Sequence, residues 1–339
     1  MELQRAIRSM PVVVGGLCLS NAQPLIYMSA MKLDPQAQRI YEAYLATDPR
    51  EPTVSTVPSI REVDAAEQAQ PTLELPTLDT EIPGPGGTIP LRFYYPPGAA
   101  TEYPALIYFH AGGFVFGSIG RDDRLCRKLA FESKACVIAV GYRLAPEARF
   151  PAAVLDAYLA LSHIHENAGD YHLDYHRLAV AGSSAGAALA TVIARQAKER
   201  RGPELCCQVL YCPVTDLREL DTPSYYEFAD GPMVTRASME FCRDQYLPDH
   251  ASRSDPAASP LVAQNLIGMP AAYVVTAECD PLRDEGNAYA EALRTAATEV
   301  AHHCYAGQFH NFVRYVEELV VAQQVLADTG RWLRARLGS

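Results

Sequence analysis

Apolar and polar positions change their rhythm several times along the chain. From about residue 75 onward, short apolar runs alternate with longer segments of helical period. Ile89–Tyr95, Pro104–His110, Ala135–Tyr142, Arg177–Gly182, Gln208–Val214 and Ala271–Glu278 read as strands, and Glu299–Tyr305 as a last, more polar one. Between them, Arg121–Lys134, Pro151–Ala168 and Ala187–Arg200 carry helical patterns, the second with proline at its start. A long C-terminal helix is expected from near Phe312. Strands separated by helices predict an α/β fold whose mostly parallel sheet is covered by helices on both faces. In such sheets ligands sit at the carboxyl ends of the strands.

Two stretches break the alternation. Residues 33–70 look helical and polar, punctuated by Pro35, Pro49, Pro52 and Pro58, with Leu33-Asp34-Pro35 as a helix start. From Leu217 to Val262 the chain holds Tyr225, Tyr226, Phe228, Met233, Met239, Phe241 and Tyr246, which reads as an inserted helical lid. Ile82–Gly87, rich in proline and glycine, reads as a turn.

The 339 residues are 49% hydrophobic and 20% charged, enough to bury a large core. A net charge of −11 with scattered Lys and Arg excludes a nucleic-acid partner. The nine cysteines show no framework spacing and no Cys-x-x-Cys pair, so a reducing cytoplasm is the expected setting and a zinc site is not expected. Arg5 and Arg8 precede the apolar run Met10–Leu19 and then Ser20-Asn21-Ala22, a faint likeness to a secretion signal broken by Gly15 and Gly16. No stretch is long enough for an integral membrane segment.

The chemistry concentrates after predicted strands. Leu178-Ala179-Val180-Ala181 leads into Gly182-Ser183-Ser184-Ala185-Gly186, and a helical run follows at once. Strand, Gly-x-Ser-x-Gly and helix in that order describe a nucleophile elbow, with Ser184 as nucleophile. The amide of Ala185, first in the helix, points at any oxyanion formed there. His110-Ala111-Gly112-Gly113-Phe114 follows another strand, and adjacent glycines present two amides, those of Gly112 and Gly113, to one point. Asp280 stands where the Ala271–Glu278 strand ends and supplies the carboxylate that orients an imidazole, with Glu278, Asp284 and Glu285 as nearby competitors. His310, after the last strand, is placed as the base. His302-His303 and His163-x-His165 lack a carboxylate partner at metal spacing and read as surface residues. No metal or organic cofactor is required.

At these residues the chain resembles the hormone-sensitive-lipase-like esterases of the α/β-hydrolase superfamily. Tyr142-Arg143-Leu144-Ala145-Pro146-Glu147, Phe150-Pro151-Ala152-Ala153, Tyr211-Cys212-Pro213-Val214-Thr215-Asp216 and Asp255-Pro256-x-x-Ser259-Pro260 extend the likeness over residues 59–320. The resemblance implies catalytic Ser184, Asp280 and His310, an oxyanion hole from Gly112, Gly113 and Ala185, and cleavage of small uncharged esters of short to medium acyl chain. It implies a catalytic domain from residues 71–216 and 263–339 under a discontinuous cap from 1–70 and 217–262. It also implies a homodimer through the edge strand 299–305. Small-amide hydrolysis and ligand reception are the alternatives on the same fold. Three departures stand out: Ala111 for the first glycine of His-Gly-Gly-Gly, Ser183 and Ala187 beside the nucleophile where Asp and Gly are common, and residues 1–32, which match nothing in the family.

Overall fold

The computed structural model describes residues 32–47, 49, 51–66, 73–98 and 100–339. The apolar segment Met10–Leu19 lies outside them. The described chain opens with α1 (Pro35–Leu45) and α2 (Val57–Ala66). As expected, Asp34 caps α1, its Oδ1 accepting from the Gln36 amide at 2.8 Å. A hairpin follows, β1 (Thr77–Gly84) and β2 (Gly87–Tyr94). The alternating body then runs β3 (Tyr103–Phe109), α3 (Asp123–Ser133), β4 (Cys136–Val140), α4 (Ala152–Glu166), β5 (Leu173–Ser183), α5 (Ala185–Arg200) and β6 (Cys207–Tyr211). Two helices, α6 (Pro223–Glu227) and α7 (Arg236–Tyr246), occupy the insert. The chain closes with β7 (Ala271–Cys279), α8 (Arg283–Thr295), β8 (Val300–Phe309) and α9 (Val320–Leu337).

Among the described residues, eight strands form one sheet in the order β1-β2-β4-β3-β5-β6-β7-β8. β2 runs antiparallel to both its neighbours, and every pair from β4 through β8 is parallel. Strand alternation sorts side chains to the two faces. Ala105, Ile107 and Phe109 of β3 join the core under α4, α5 and α8, whereas Leu106 and Tyr108 join the core under α3 and α9. Each fully buried leucine, isoleucine or phenylalanine in these layers contributes about 1.5–3 kcal/mol. α5 packs closely because its buried residues are mostly alanine, with Gly186 set against the end of β3.

Several boundaries differ from the sequence reading. Thr77–Gly84 is a strand that alternation does not reveal, because at the sheet edge it buries only Ile82. The expected turn shrinks to Pro85-Gly86. The C-terminal helix begins at Val320, since Phe312–Arg314 forms a separate 3-10 turn. α8 follows the Asp280 loop with Gly286, Tyr289, Ala290 and Leu293 buried. His163 and His302 are half-buried rather than on the surface, hydrogen-bonded to the Tyr171 hydroxyl at 3.0 Å and to Thr276 Oγ1 at 3.1 Å.

Candidate active site

Strand register assembles the site. Phe109, the last residue of β3, pairs with Gly182 of β5, and Cys279, the last of β7, pairs with Phe309, the last of β8. The residues that follow, His110, Asp280 and His310, therefore leave one edge of the sheet together with Ser184.

At the elbow Ser184 adopts φ 55°, ψ −119°, outside the ordinary wells of a non-glycine residue. The positions two residues to either side must be glycine. A Cβ on Gly182 would lie 2.2 Å from the Gly186 carbonyl oxygen, and one on Gly186 would lie 2.0 Å from that of Phe109. The Ser184 amide donates to Tyr211 O at 2.8 Å and its carbonyl accepts from Val214 N at 3.2 Å, so the end of β6 brackets the strained residue.

Ser184 Oγ lies 2.9 Å from His310 Nε2, and His310 Nδ1 lies 2.8 Å from Asp280 Oδ2. All three are buried, Ser184 at 4%, His310 at 5% and Asp280 at 0% exposure. A carboxylate only accepts, so Nδ1 carries the imidazole proton and Nε2 is left to accept from the serine hydroxyl. Asp280 Oδ1 accepts from Leu282 N at 2.9 Å, which fixes the carboxylate's plane. The competing acids are engaged elsewhere: Glu278 accepts from the Gly307 amide, Asp284 from the Ser224 amide and Glu285 from the Thr215 amide. Burial pushes Glu285 up to about 8.

The loop after β3 turns at Gly112 (φ 133°) and Gly113 (φ 60°), with Val115 and Phe116 amides both closing onto Gly112 O. Among the described residues none accepts from the Gly112 or Gly113 amide. Ala111 does not take a positive φ, so its methyl group fits where the resemblance has glycine. Asp122 accepts from the Ala111 amide at 3.3 Å, the Tyr142 hydroxyl donates to His110 O at 2.8 Å, and Phe114 stacks on Tyr246 of α7 at 3.9 Å. Arg61 of α2 donates through Nε to Val115 O at 2.8 Å. Both the insert and the segment before the sheet thus hold this loop.

Reading by sequence missed a second set of contacts. The Ser183 hydroxyl donates to Asn311 Oδ1, and the Asn311 amide donates to Cys212 Sγ at 3.4 Å. Cys212 Sγ, an Asp280 carboxylate oxygen and a His310 ring nitrogen lie within 4.8 Å of one another. Both imidazole nitrogens are already engaged, which suits proton transfer rather than metal ligation. These contacts join residues about a hundred positions apart, so no local pattern announces them. The one signal was Ser183, standing where aspartate is common.

A buried serine–histidine–aspartate relay at the carboxyl edge of a parallel sheet, its serine on a strand-to-helix elbow, defines a hydrolase of the acyl-transfer class. A model of the α/β hydrolase fold matches residues 106–314, and the chain belongs to that family. The hormone-sensitive-lipase-like branch expected from the sequence holds. Esterase LipI of Mycobacterium tuberculosis is 39% identical over 245 residues, 71% of this chain and 76% of that protein. Ethyl acetate hydrolase of Pseudomonas putida is 41% identical over 234 residues, 68% and 73% of the respective chains. The hyperthermophilic esterase of Pyrobaculum calidifontis superposes with a TM-score of 0.83 at 35% identity, covering 90% of this chain and 99% of that one.

Proposed function

We propose that this chain is a serine carboxylesterase for uncharged esters of short to medium acyl chain. The observation that carries the reading is the continuous line Asp280–His310–Ser184, with hydrogen bonds of 2.8 and 2.9 Å in a buried setting. His310 takes the serine proton as Oγ attacks the ester carbonyl. The Gly112, Gly113 and Ala185 amides hold the resulting oxyanion. Collapse expels the alcohol, which His310 protonates, and water activated by the same imidazole then releases the acid from Ser184. Asp280 keeps the tautomer and stabilises the imidazolium.

Residues 71–216 and 263–339 form the catalytic body in this reading, with 1–70 and 217–262 assigned to the cap, of which residues 1–31 lie outside the described ones. The contacts of Arg61 and Tyr246 with the oxyanion loop support the cap's position. We also propose a homodimer through β8, which lies at the sheet's edge. No helix among the described residues is long and apolar enough to cross a membrane. Eight described cysteines are free thiols, which supports a cytoplasmic protein. N-terminal sequencing from the native host tests that placement, and a chain cleaved after Ala22 contradicts it.

A p-nitrophenyl ester series from acetate to palmitate tests the substrate class. Turnover peaking at about four to eight acyl carbons is expected, as the resemblance to the hormone-sensitive-lipase-like esterases implies. Faster turnover of emulsified long-chain triglyceride than of butyrate refutes it.

A further inference from the structure

We propose that Cys212 is a positioning residue for the Asp280–His310 pair, its sulfur holding the carboxylate and the histidine loop in line with Ser184. The inference rests on the esterase reading and deepens it.

Register explains the placement. Ser183 of β5 pairs with Tyr211 of β6, so the next residues, Ser184 and Cys212, leave the sheet side by side. The segment carrying Cys212 already grips the nucleophile, through Tyr211 O on one side of Ser184 and Val214 N on the other. Between those two grips Cys212 adopts φ 43°, a left-handed conformation that a residue with a side chain takes only when its surroundings impose it. The Cys212 amide is fixed to Val275 O at 2.7 Å. This backbone turns the side chain toward the acid and base: Sγ lies with the Asp280 and His310 atoms inside a 4.8 Å cluster.

The sulfur serves two neighbours at once. It accepts from the amide of Asn311, the residue that follows His310. Its proton has an acceptor-only carboxylate to meet in Asp280. Burial first, and the Asp280 charge next, raise the thiol well above its ordinary range, so it stays S–H. At 1% exposure it has no surface to offer a substrate. Its effect must therefore appear in kcat and not in KM.

The test compares wild type with Cys212→Ala, Cys212→Gly and Cys212→Ser on p-nitrophenyl butyrate, with Ser184→Ala alongside. All are unbranched or smaller and tolerate the left-handed backbone, and glycine relaxes it, so at least one sulfur-free variant folds. Removing the sulfur leaves the Asn311 amide unpaired and the acid–base pair free to drift. Cys212→Ala and Cys212→Gly should lower kcat by about ten- to a hundredfold with KM within about twofold. Cys212→Ser keeps a donor and an acceptor and should recover kcat to within about threefold of wild type. A sulfur-free variant with wild-type kcat overturns the proposal, as does a serine variant as slow as alanine. Undiminished turnover in Ser184→Ala overturns the esterase reading instead, which separates the two failures.

Discussion

Gly112→Ala should disable the proposed oxyanion hole without unfolding the protein. An alanine Cβ at this position would sit 2.1 Å from the Phe116 carbonyl oxygen and 2.4 Å from its carbon, both backbone atoms that cannot rotate away. Real Cβ contacts essentially never fall below 3.0 Å, so the turn must open by about 0.9 Å, and φ 133° is itself unfavourable for any residue but glycine. That movement stretches the bonds from Val115 and Phe116 to Gly112 O, now 3.0 and 2.7 Å, and carries the Gly112 and Gly113 amides with it. An oxyanion donor acts over 2.7–3.1 Å, so a shift of about 1 Å loses it, at a cost of about 10²–10³ in kcat, or roughly 3–4 kcal/mol. Ala111→Gly is the counterpart. It adds no donor and releases no strain, so kcat should change by less than about tenfold. The assay is kcat and KM on p-nitrophenyl butyrate, normalised by phosphonate titration of competent sites, with Tm recorded for each variant. A Gly112→Ala enzyme within about threefold of wild type refutes the placement of the hole. A hundredfold gain in Ala111→Gly would show that the methyl group was disabling it.

Other outcomes follow from the same geometry. Because burial raises Glu285 from 4.5 to about 8, the folded state holds a proton there that the unfolded chain has lost. Its contribution is whole below about pH 4.5 and is lost as pH rises toward 8, at up to about 1.4 kcal/mol per pH unit. Glu285→Gln should flatten this slope and be the more stable protein at pH 8 in urea titrations, and parallel stability curves would refute it. kcat/KM should fall toward the acid side, since a protonated imidazole accepts no proton, and a profile that stays flat into acid would assign the base elsewhere. Light scattering at micromolar concentration should show a dimer, and a monomeric wild type would remove the β8 interface.

The alternating body was legible because parallel strands buried on both faces are continuous apolar runs, as in Ala135–Tyr142 and Ala271–Glu278. β1 was not, since Leu78, Asp79 and Glu81 face solvent and only Ile82 reaches the core. α8 left a trace at Gly286, Tyr289, Ala290 and Leu293, spaced three and four apart, but Asp280 and the three acidic groups near it drew the reading toward chemistry. The expected helix start at Phe312 failed because Phe312, Val313 and Val316 are core residues of a turn and its exit, with no helical continuation until Val320.

The relay was legible for a different reason. Gly-x-Ser-x-Gly, the acidic loop and His310 each stand directly after a strand, and parallel topology brings such positions together. What supports the relay was hidden. Cys212, Asn311 and Ser183 meet only through the registers of β5 with β6, β6 with β7 and β7 with β8. Asp280 was chosen among four acids by its place at the strand end, and what the sequence could not give is where the others go: Glu278, Asp284 and Glu285 each meet a backbone amide instead of the imidazole.

The central claim is that Ser184, activated by His310 and Asp280, forms the acyl-enzyme. Its most direct test is mass spectrometry of the protein after a short pulse with p-nitrophenyl butyrate and acid quench, with peptide mapping, alongside steady-state turnover of Ser184→Ala. The account predicts a single butyryl adduct on the peptide carrying Ser184, no adduct in Ser184→Ala, and a loss in kcat of about 10⁴-fold or more with Tm preserved. A butyryl group on another residue, or undiminished turnover by folded Ser184→Ala, contradicts it.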